Sequence, residues 1–471
     1  MEGEDYDREA IGVQTLPRLP TELWGCVFSF LGPIWRGLAR SVCREWRQAV
    51  ALPSTTPFNP SIMAEASDIF LKENFLNCSS WTVSQGCKRP FLIRCRKNES
   101  KPLLIDLGSD VVKAGFVGND APYSVFQTIV GHPRLGPGVM VGMGEKSNYV
   151  GDEALSQRSL LALHHPIIRG AIADIDRAEL LLGHIFNNEL RRPPEEHPVL
   201  LTQAALNPKA HGENLMQLLF EKFEVPAMYI ANQALLICYA YARTTGLAVC
   251  VGDGVTQVLA LDQGHCTRRA ISRSNFAGWD VTENFQTLLF ERGYDLSRTS
   301  AEWEIVRDLK EKRCFTSLDY DKDMETARTS SQLEIPYELP DGTVITIGDE
   351  RFRCIEPLFN SSLLGLEIPG IHQQILKVIM KLPAHRRKTF YSEILLAGGT
   401  SLTPDFEQRV QLEVAKLAPQ GMTVKVHAAP ERKYSVWIGG SIMGALSTFE
   451  PMWIAKDRYD EYGPNLSHSF F

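Results

Sequence analysis

The sequence predicts an α/β fold made of two related halves that face each other across a cleft, set behind a separate small all-α unit. Three observations carry this. First, an apolar strand, Leu103-Leu104-Ile105-Asp106, runs into a Gly108-Ser109 turn and a second strand, Val111–Val117. Second, the same unit recurs as Leu247–Val251, the turn Gly252-Asp253-Gly254, and Val255–Leu261. Laid on each other, Asp106 meets Cys250, Gly108 meets Gly252, Ser109 meets Asp253 and Asp110 meets Gly254. A strand–turn–strand unit used twice, each followed by helical sequence, implies duplicated α/β halves. Third, the texture of the chain changes at Pro102, after a helical stretch broken by Pro53, Pro57 and Pro60.

In chain order, residues 1–16 are polar and expected to be disordered. Residues 17–58 read as a helical module. Leu23, Val27, Phe30 and Leu31 form one apolar stripe, and Gly32-Pro33 ends that helix. Leu38, Val42, Trp46 and Val50 form a second stripe, with Arg36, Arg40, Arg44 and Arg47 on another face. Residues 59–101 read as a linker or packing extension, and 102–471 as the large domain. The net charge of −7 supplies no basic field for nucleic acid. No apolar run reaches the roughly 18 residues that a membrane span needs. The ten cysteines are scattered without a framework spacing, and the acidic N-terminus lacks a signal-type apolar run, so a cytoplasmic or nuclear protein is expected.

A glycine turn lets backbone N–H groups approach a phosphate with no side chain intervening. Two such turns on opposite walls would clasp one polyphosphate. A third, Ala397-Gly398-Gly399-Thr400-Ser401, follows the apolar Ile394-Leu395-Leu396, as at a strand end facing a cleft. No GxxxxGK[ST] run occurs, which argues against a P-loop enzyme.

From Pro102 to Phe471 the chain resembles actin, in order and nearly without gaps. The stretches that carry this are Val112-Lys113-Ala114-Gly115-Phe116, GVMVGMG at 138–144, YVGDEA at 149–154 and PEEHPVLL at 194–201. They continue with Thr244-Thr245-Gly246, EIVRDLKEK at 304–312, YELPDGTVITIG at 337–348 and PERKYSVWIGG at 430–440. The resemblance implies an actin-type fold, ribonuclease-H-like and duplicated, with ATP or ADP and magnesium in the cleft. It also implies roles. Asp106 would hold magnesium through water and Lys113 would reach the phosphates. Gly108, Ser109, Gly252, Asp253 and Gly254 would form the phosphate turns. Lys310 and Glu311 would contact base and ribose, Gly398 and Gly399 the adenosine side, and Lys433 the base pocket. Gln233 would position the attacking water.

Three departures weigh against hydrolysis. Cys250 stands where actin has an aspartate that organises waters, and a neutral thiol suits a hard cation poorly. Gln257 replaces actin's histidine at the hydrolysis site. Asp110 replaces a glycine, placing a carboxylate beside the expected phosphates. Like charges about 4 Å apart repel by about 4 kcal/mol at an effective dielectric near 20, unless the side chain turns away or joins the magnesium shell. Weak or absent hydrolysis is expected, in a site that keeps nucleotide or in a domain kept as a scaffold. Surfaces that resemble actin's subunit contacts also differ. The segment Arg134–Asn148 has an apparent extra residue, Arg169 replaces the methylated histidine, and Ile175 replaces a tryptophan.

At the N-terminus, Leu19-Pro20-Thr21-Glu22-Leu23, Val27 to Pro33 and Leu38 to Arg47 (LARSVCREWR) resemble an F-box. A helical unit this short cannot bury both faces of its helices, so Leu19, Pro20, Leu23 and Val27 are free to dock on a partner. The resemblance implies a Skp-type adaptor of cullin–RING ubiquitin ligases as that partner. The two modules together predict a non-enzymatic adaptor that recruits cytoskeletal or nuclear targets to such a ligase. The rival expectation is a structural actin-like protein that binds ATP and associates with actin or actin-binding proteins.

Overall fold

The computed structural model describes residues 101–134 and 146–470. The expected module 17–58 with Leu19, Pro20, Leu23 and Val27, nearly all of the extension 59–101, and the stretch 138–144 lie outside the described residues.

The first lobe is built on a sheet containing β1 (Leu103–Leu107), β2 (Val111–Phe116), β3 (Ser124–Gln127), β4 (Val199–Gln203) and β5 (Ala227–Asn232). Its order is the short strand Ile454–Ala455, then β5, β4, β1, β2, β3. The strands β1, β2 and β3 form an antiparallel meander, and β4 and β5 run parallel to β1. The second lobe contains β6 (Gly246–Val251), β7 (Thr256–Asp262), β8 (His265–Ser274), β9 (Ile394–Ala397) and β10 (Val426–Ala428). Its order is β8, β7, β6, β9, β10, again a meander followed by two parallel strands. The duplication extends to register. Asp106 pairs across to Lys113 and beside Thr202, while Cys250 pairs across to Gln257 and beside Ala397.

Both β1 and β6 are buried at every position. Strands covered on both faces read as unbroken apolar runs rather than alternating ones, which is why each stood out in the sequence. Each lobe has its own core. Leu103, Ile105, Phe186 and Phe220 belong to the first, and Val249, Phe285 and Phe406 to the second.

Two helices join the lobes at the base of the cleft: α1 (Gln233–Ala240) and, after α2 (Gly278–Glu291) and α3 (Ser300–Arg313), α4 (Ser435–Gly444). They cross so closely that a Cβ on Gly439 would lie 1.8 Å from the Leu236 carbonyl oxygen. Only glycine allows that approach. The fully buried Trp437 of α4 donates its indole N–H to the Leu104 carbonyl at 3.3 Å, fixing α4 to β1. Among the described residues no helix is long and apolar enough to cross a membrane.

Candidate functional site

The three glycine turns converge on one cavity of about 260 Å³ between the lobes. It is lined by Asp106, Gly108, Ser109, Lys113, Gln233, Gly252, Asp253, Gly254, Lys310, Glu311, Gly398, Gly399 and Lys433. Every cleft residue expected from the sequence therefore comes together, and the departures Asp110, Cys250 and Gln257 line the same cavity. The turns touch one another. A Cβ at Gly254 would lie 2.4 Å from Ser109 Oγ, and Thr400 Oγ donates to the Gly252 carbonyl at 2.7 Å. Gly398 has φ +96°, and a Cβ there would fall 2.2 Å from the Val251 carbonyl oxygen. Backbone thus forms the wall, as a phosphate cradle requires.

On the first lobe, Asp106 is 2 % exposed and accepts from Lys113 Nζ at 2.8 Å, Gln233 Nε2 at 3.1 Å and the Thr202 hydroxyl. Burial works against the Lys113 ammonium, but the charge and hydrogen bond of Asp106 outweigh it and hold the lysine above its ordinary range. On the second lobe the matching pair carries no charge. Burial, reinforced by the nearby Asp106, pushes the Cys250 thiol up to about 12, so it stays protonated. Gln257 is fully buried. Its Oε1 accepts from the Ala205 N–H at 2.8 Å and its Nε2 donates to Gln233 Oε1 at 3.0 Å. Asn232 caps α1 by accepting from the Ala234 N–H, which places Gln233 at the head of the helix. There both ends of its amide are engaged by protein: Nε2 by Asp106 and Thr202, Oε1 by Gln257.

At the upper rim, Asp110 turns to the opposite lobe. Its carboxylate meets Arg307 of α3 at 3.2 Å, the two side chains being 22 % and 13 % exposed. With its amide oriented to satisfy both, Gln127 donates to Asp110 Oδ1 at 3.0 Å and accepts from Arg307 Nη2 at 3.0 Å. Arg307 also meets Glu304 at 2.8 Å and Glu311 at 3.2 Å. Asp253 lies close by. Burial first, then the charge of Asp110, raises its carboxyl to about 7 against the pull of Lys310, Arg307 and Arg169. A second ion pair crosses the cleft where Arg169 binds Asp280 in bidentate fashion at 2.5 and 2.8 Å. Arg273 adds a third tie, donating to the Arg169 carbonyl at 2.8 Å and the Ala205 carbonyl at 2.9 Å.

Helix α3 begins with a capping box in which Thr299 and Glu302 bond each other's backbone N–H. It thereby aims Arg307, Lys310 and Glu311, three and four residues apart, at the cleft. That spacing was the signal for Arg307, which the sequence reading passed over. Lys310 Nζ donates to Thr282 Oγ at 2.7 Å and to the Gly278 carbonyl at 3.0 Å, on the first turn of α2.

The donor set suits a nucleotide better than a directly ligated metal. Among the described residues no group of three or more His, Cys, Asp and Glu side chains is placed to hold a metal ion. Both oxygens of Asp106 are engaged by Lys113, Thr202 and Gln233, so a cation there would be held through water, and the protonated Cys250 opposite adds no ligand.

A duplicated α/β molecule whose glycine turns wall an interlobe cavity belongs to the class of two-lobed nucleotide-cleft proteins. A family model for actin matches residues 97–470, and the chain belongs to the actin family. A second family model, for the F-box-like domain, matches residues 16–55, so the actin domain stands behind an F-box-like domain.

Proposed function

We propose that this chain is a non-hydrolysing, nucleotide-binding adaptor of the cytoplasm or nucleus. Its F-box-like domain docks a Skp-type adaptor of a cullin–RING ubiquitin ligase, and its actin domain presents targets of cytoskeletal or nuclear origin. The observation that carries the reading is the pairing of an F-box-like domain with a cleft that keeps its backbone walls while its reactive groups are tied up. Leu19, Pro20, Leu23 and Val27 form the docking surface. ATP or ADP sits on the Gly108–Ser109, Gly252–Gly254 and Gly398–Gly399 turns, with Lys113 at the phosphates. Lys310, Glu311 and Lys433 hold the nucleoside, and Asp106 holds magnesium through water. Bound nucleotide supplies a charged strut between the lobes.

Catalysis is not favoured by this arrangement. Both ends of the Gln233 amide are held by protein, which pins its orientation and leaves Oε1 one lone pair for a water rather than two. The Gln257 amide cannot take a proton, and the Cys250 thiol stays protonated at neutral pH. Phosphate release with Mg-ATP is expected at background for the parent chain. Turnover at the rate of an active ATPase would overturn this part of the reading.

The ligase role is tested by pull-down of the purified full-length chain with a Skp-type adaptor, beside Leu19→Ala/Pro20→Ala. Binding that the double variant loses supports it, and no binding by either form removes it. Release of ADP or ATP on denaturing the purified chain tests the nucleotide. A structural reading has one observation in its favour: Leu363 and Leu364 of the 3-10 turn Ser361–Leu364, and Leu366 just after it, are 48 %, 40 % and 39 % exposed. That is an apolar patch suited to another protein. Sedimentation with actin filaments by the double variant as well would favour that second reading.

A further inference from the structure

We infer that the two lobes are strapped together by their own side chains, through the Asp110–Arg307 and Arg169–Asp280 pairs, so that closure of the cleft does not depend on a ligand. The inference goes beyond the nucleotide reading and does not rest on it.

Each strap joins residues anchored in different cores. Asp110 follows β1, which gives Leu103 and Ile105 to the first core, and Arg307 lies on α3, which gives Val306 and Leu309 to the second. Arg169 sits in the turn between Ile167–Ile168 and Ala171–Ile172, a hairpin packed on the first core. Asp280 lies on α2 beside Val281 of the second core. Opening the cleft breaks both pairs. Arg307 then keeps Glu304 and Glu311 on its own helix but loses Asp110, and the Gln127 amide with it. Partly buried, charge-assisted contacts of this kind are the stronger hydrogen bonds and the less screened ion pairs.

Arg169 is held at both ends. Its guanidinium takes Asp280 in bidentate fashion, and its carbonyl accepts from Arg273 of β8 at 2.8 Å. Its backbone lies at φ +52°, a left-handed conformation that disfavours a residue with a side chain. Such a conformation persists where its surroundings over-determine it, and here both of those contacts come from the other lobe. An apolar contact backs the ion pairs. His165, four residues before Arg169, meets Trp279 edge-on at 5.0 Å, and Trp279 lies on Trp303 at 4.5 Å. Burial, against the pull of Asp110, holds the His165 imidazole below its ordinary range, so the ring packs as a neutral aromatic. An adaptor gains from these straps a surface across both lobes that keeps one shape with ligand and without.

The test is hydrogen–deuterium exchange of the full-length chain stripped of nucleotide, read at residues 204–207. There the Ala205 N–H is bonded across the cleft to Gln257, so its exchange reports opening. The variants are Asp110→Asn, Asp280→Asn and the two combined. Asn at 280 keeps an acceptor for the Ala277 N–H at the start of α2. Asp262→Asn, which loosens a pair with Arg386 inside the second lobe, is the control. Exchange in the stripped parent should stay within about threefold of that with saturating Mg-ADP. Each cross-lobe variant should speed it by about tenfold and the double variant by more than either, while Asp262→Asn stays within about threefold of the parent. A parent that opens more than about threefold faster when stripped overturns the inference. So does a double variant no faster than the parent, or a control as fast as the cross-lobe variants. Acceleration shared equally by Leu247–Val251, in the second core, is unfolding rather than opening and overturns it too. If the chain takes up no nucleotide, that reading falls by itself and the variants still decide this one.

Discussion

The first and second lobes share one strand order and one register, yet they face the cleft with opposite chemistry. At the same place in each meander the first lobe sets Asp106 against Lys113, and the second sets Cys250 against Gln257. One wall is a buried ion pair; the other is a protonated thiol and an amide. Duplication therefore dictates backbone and register, because both lobes must bury the same kind of strand between the same kind of layers. It leaves the cleft-facing side chains free to differ. A site that needs charge on both walls to manage waters cannot survive such a difference, whereas a cradle made of backbone can.

The contrast can be broken most severely on the charged side. Lys113→Met leaves Asp106 buried without its cation and should cost about 3–5 kcal/mol in denaturant unfolding. A loss below about 1 kcal/mol would mean that the pair is more hydrated than its 3 % and 12 % side-chain exposures indicate. The turns come next. Parallel register places Gln203 of the first lobe where the second has Gly398. Gly398→Ala should destabilise by about 3 kcal/mol, from a left-handed backbone and a clash with Val251. Gln203→Ala should cost under about 1 kcal/mol, since its buried Oε1 accepts no hydrogen bond. Equal losses would mean that the two strand ends are not structural equivalents. On the uncharged wall, Gln257→Leu strands the Ala205 N–H and should cost about 1–3 kcal/mol, less than Lys113→Met.

The smallest effect is read from pH. The Asp253 carboxyl is raised to about 7 in the folded chain, against about 4 when unfolded. Between those values the folded state holds the extra proton, so stability falls as pH rises from about 4 to about 7. Asp253→Asn should be neutral near pH 4 and stabilising by about 1 kcal/mol near pH 8, after allowance for solvent screening. The two unfolding curves should diverge through that window. Parallel curves from pH 4 to 8 would place the proton elsewhere.

Much of this was legible because it is local. Apolar runs such as Leu103–Leu107 and Leu247–Val251, each ending in a glycine turn, announce a doubly covered strand and a close backbone approach without any partner being known. Extension of the match through residues 304–312 and 430–440 added Lys310, Glu311 and Lys433. What escaped the sequence is what depends on distant pairs. Asp110 read as a charge beside phosphate, and only Arg307, on a helix of the other lobe, shows that the carboxylate turns away from the turn. Gln233 read as a water-positioning residue, and only the fold shows that its amide also holds Asp106, Thr202 and Gln257.

The crossing of α1 and α4 at Gly439 has a mechanical consequence. At Gly439 itself backbone rests on backbone, with no side chain between to compress or give way. Any larger residue at that point would act as a wedge, resetting the angle of the whole cleft from a position that touches no ligand.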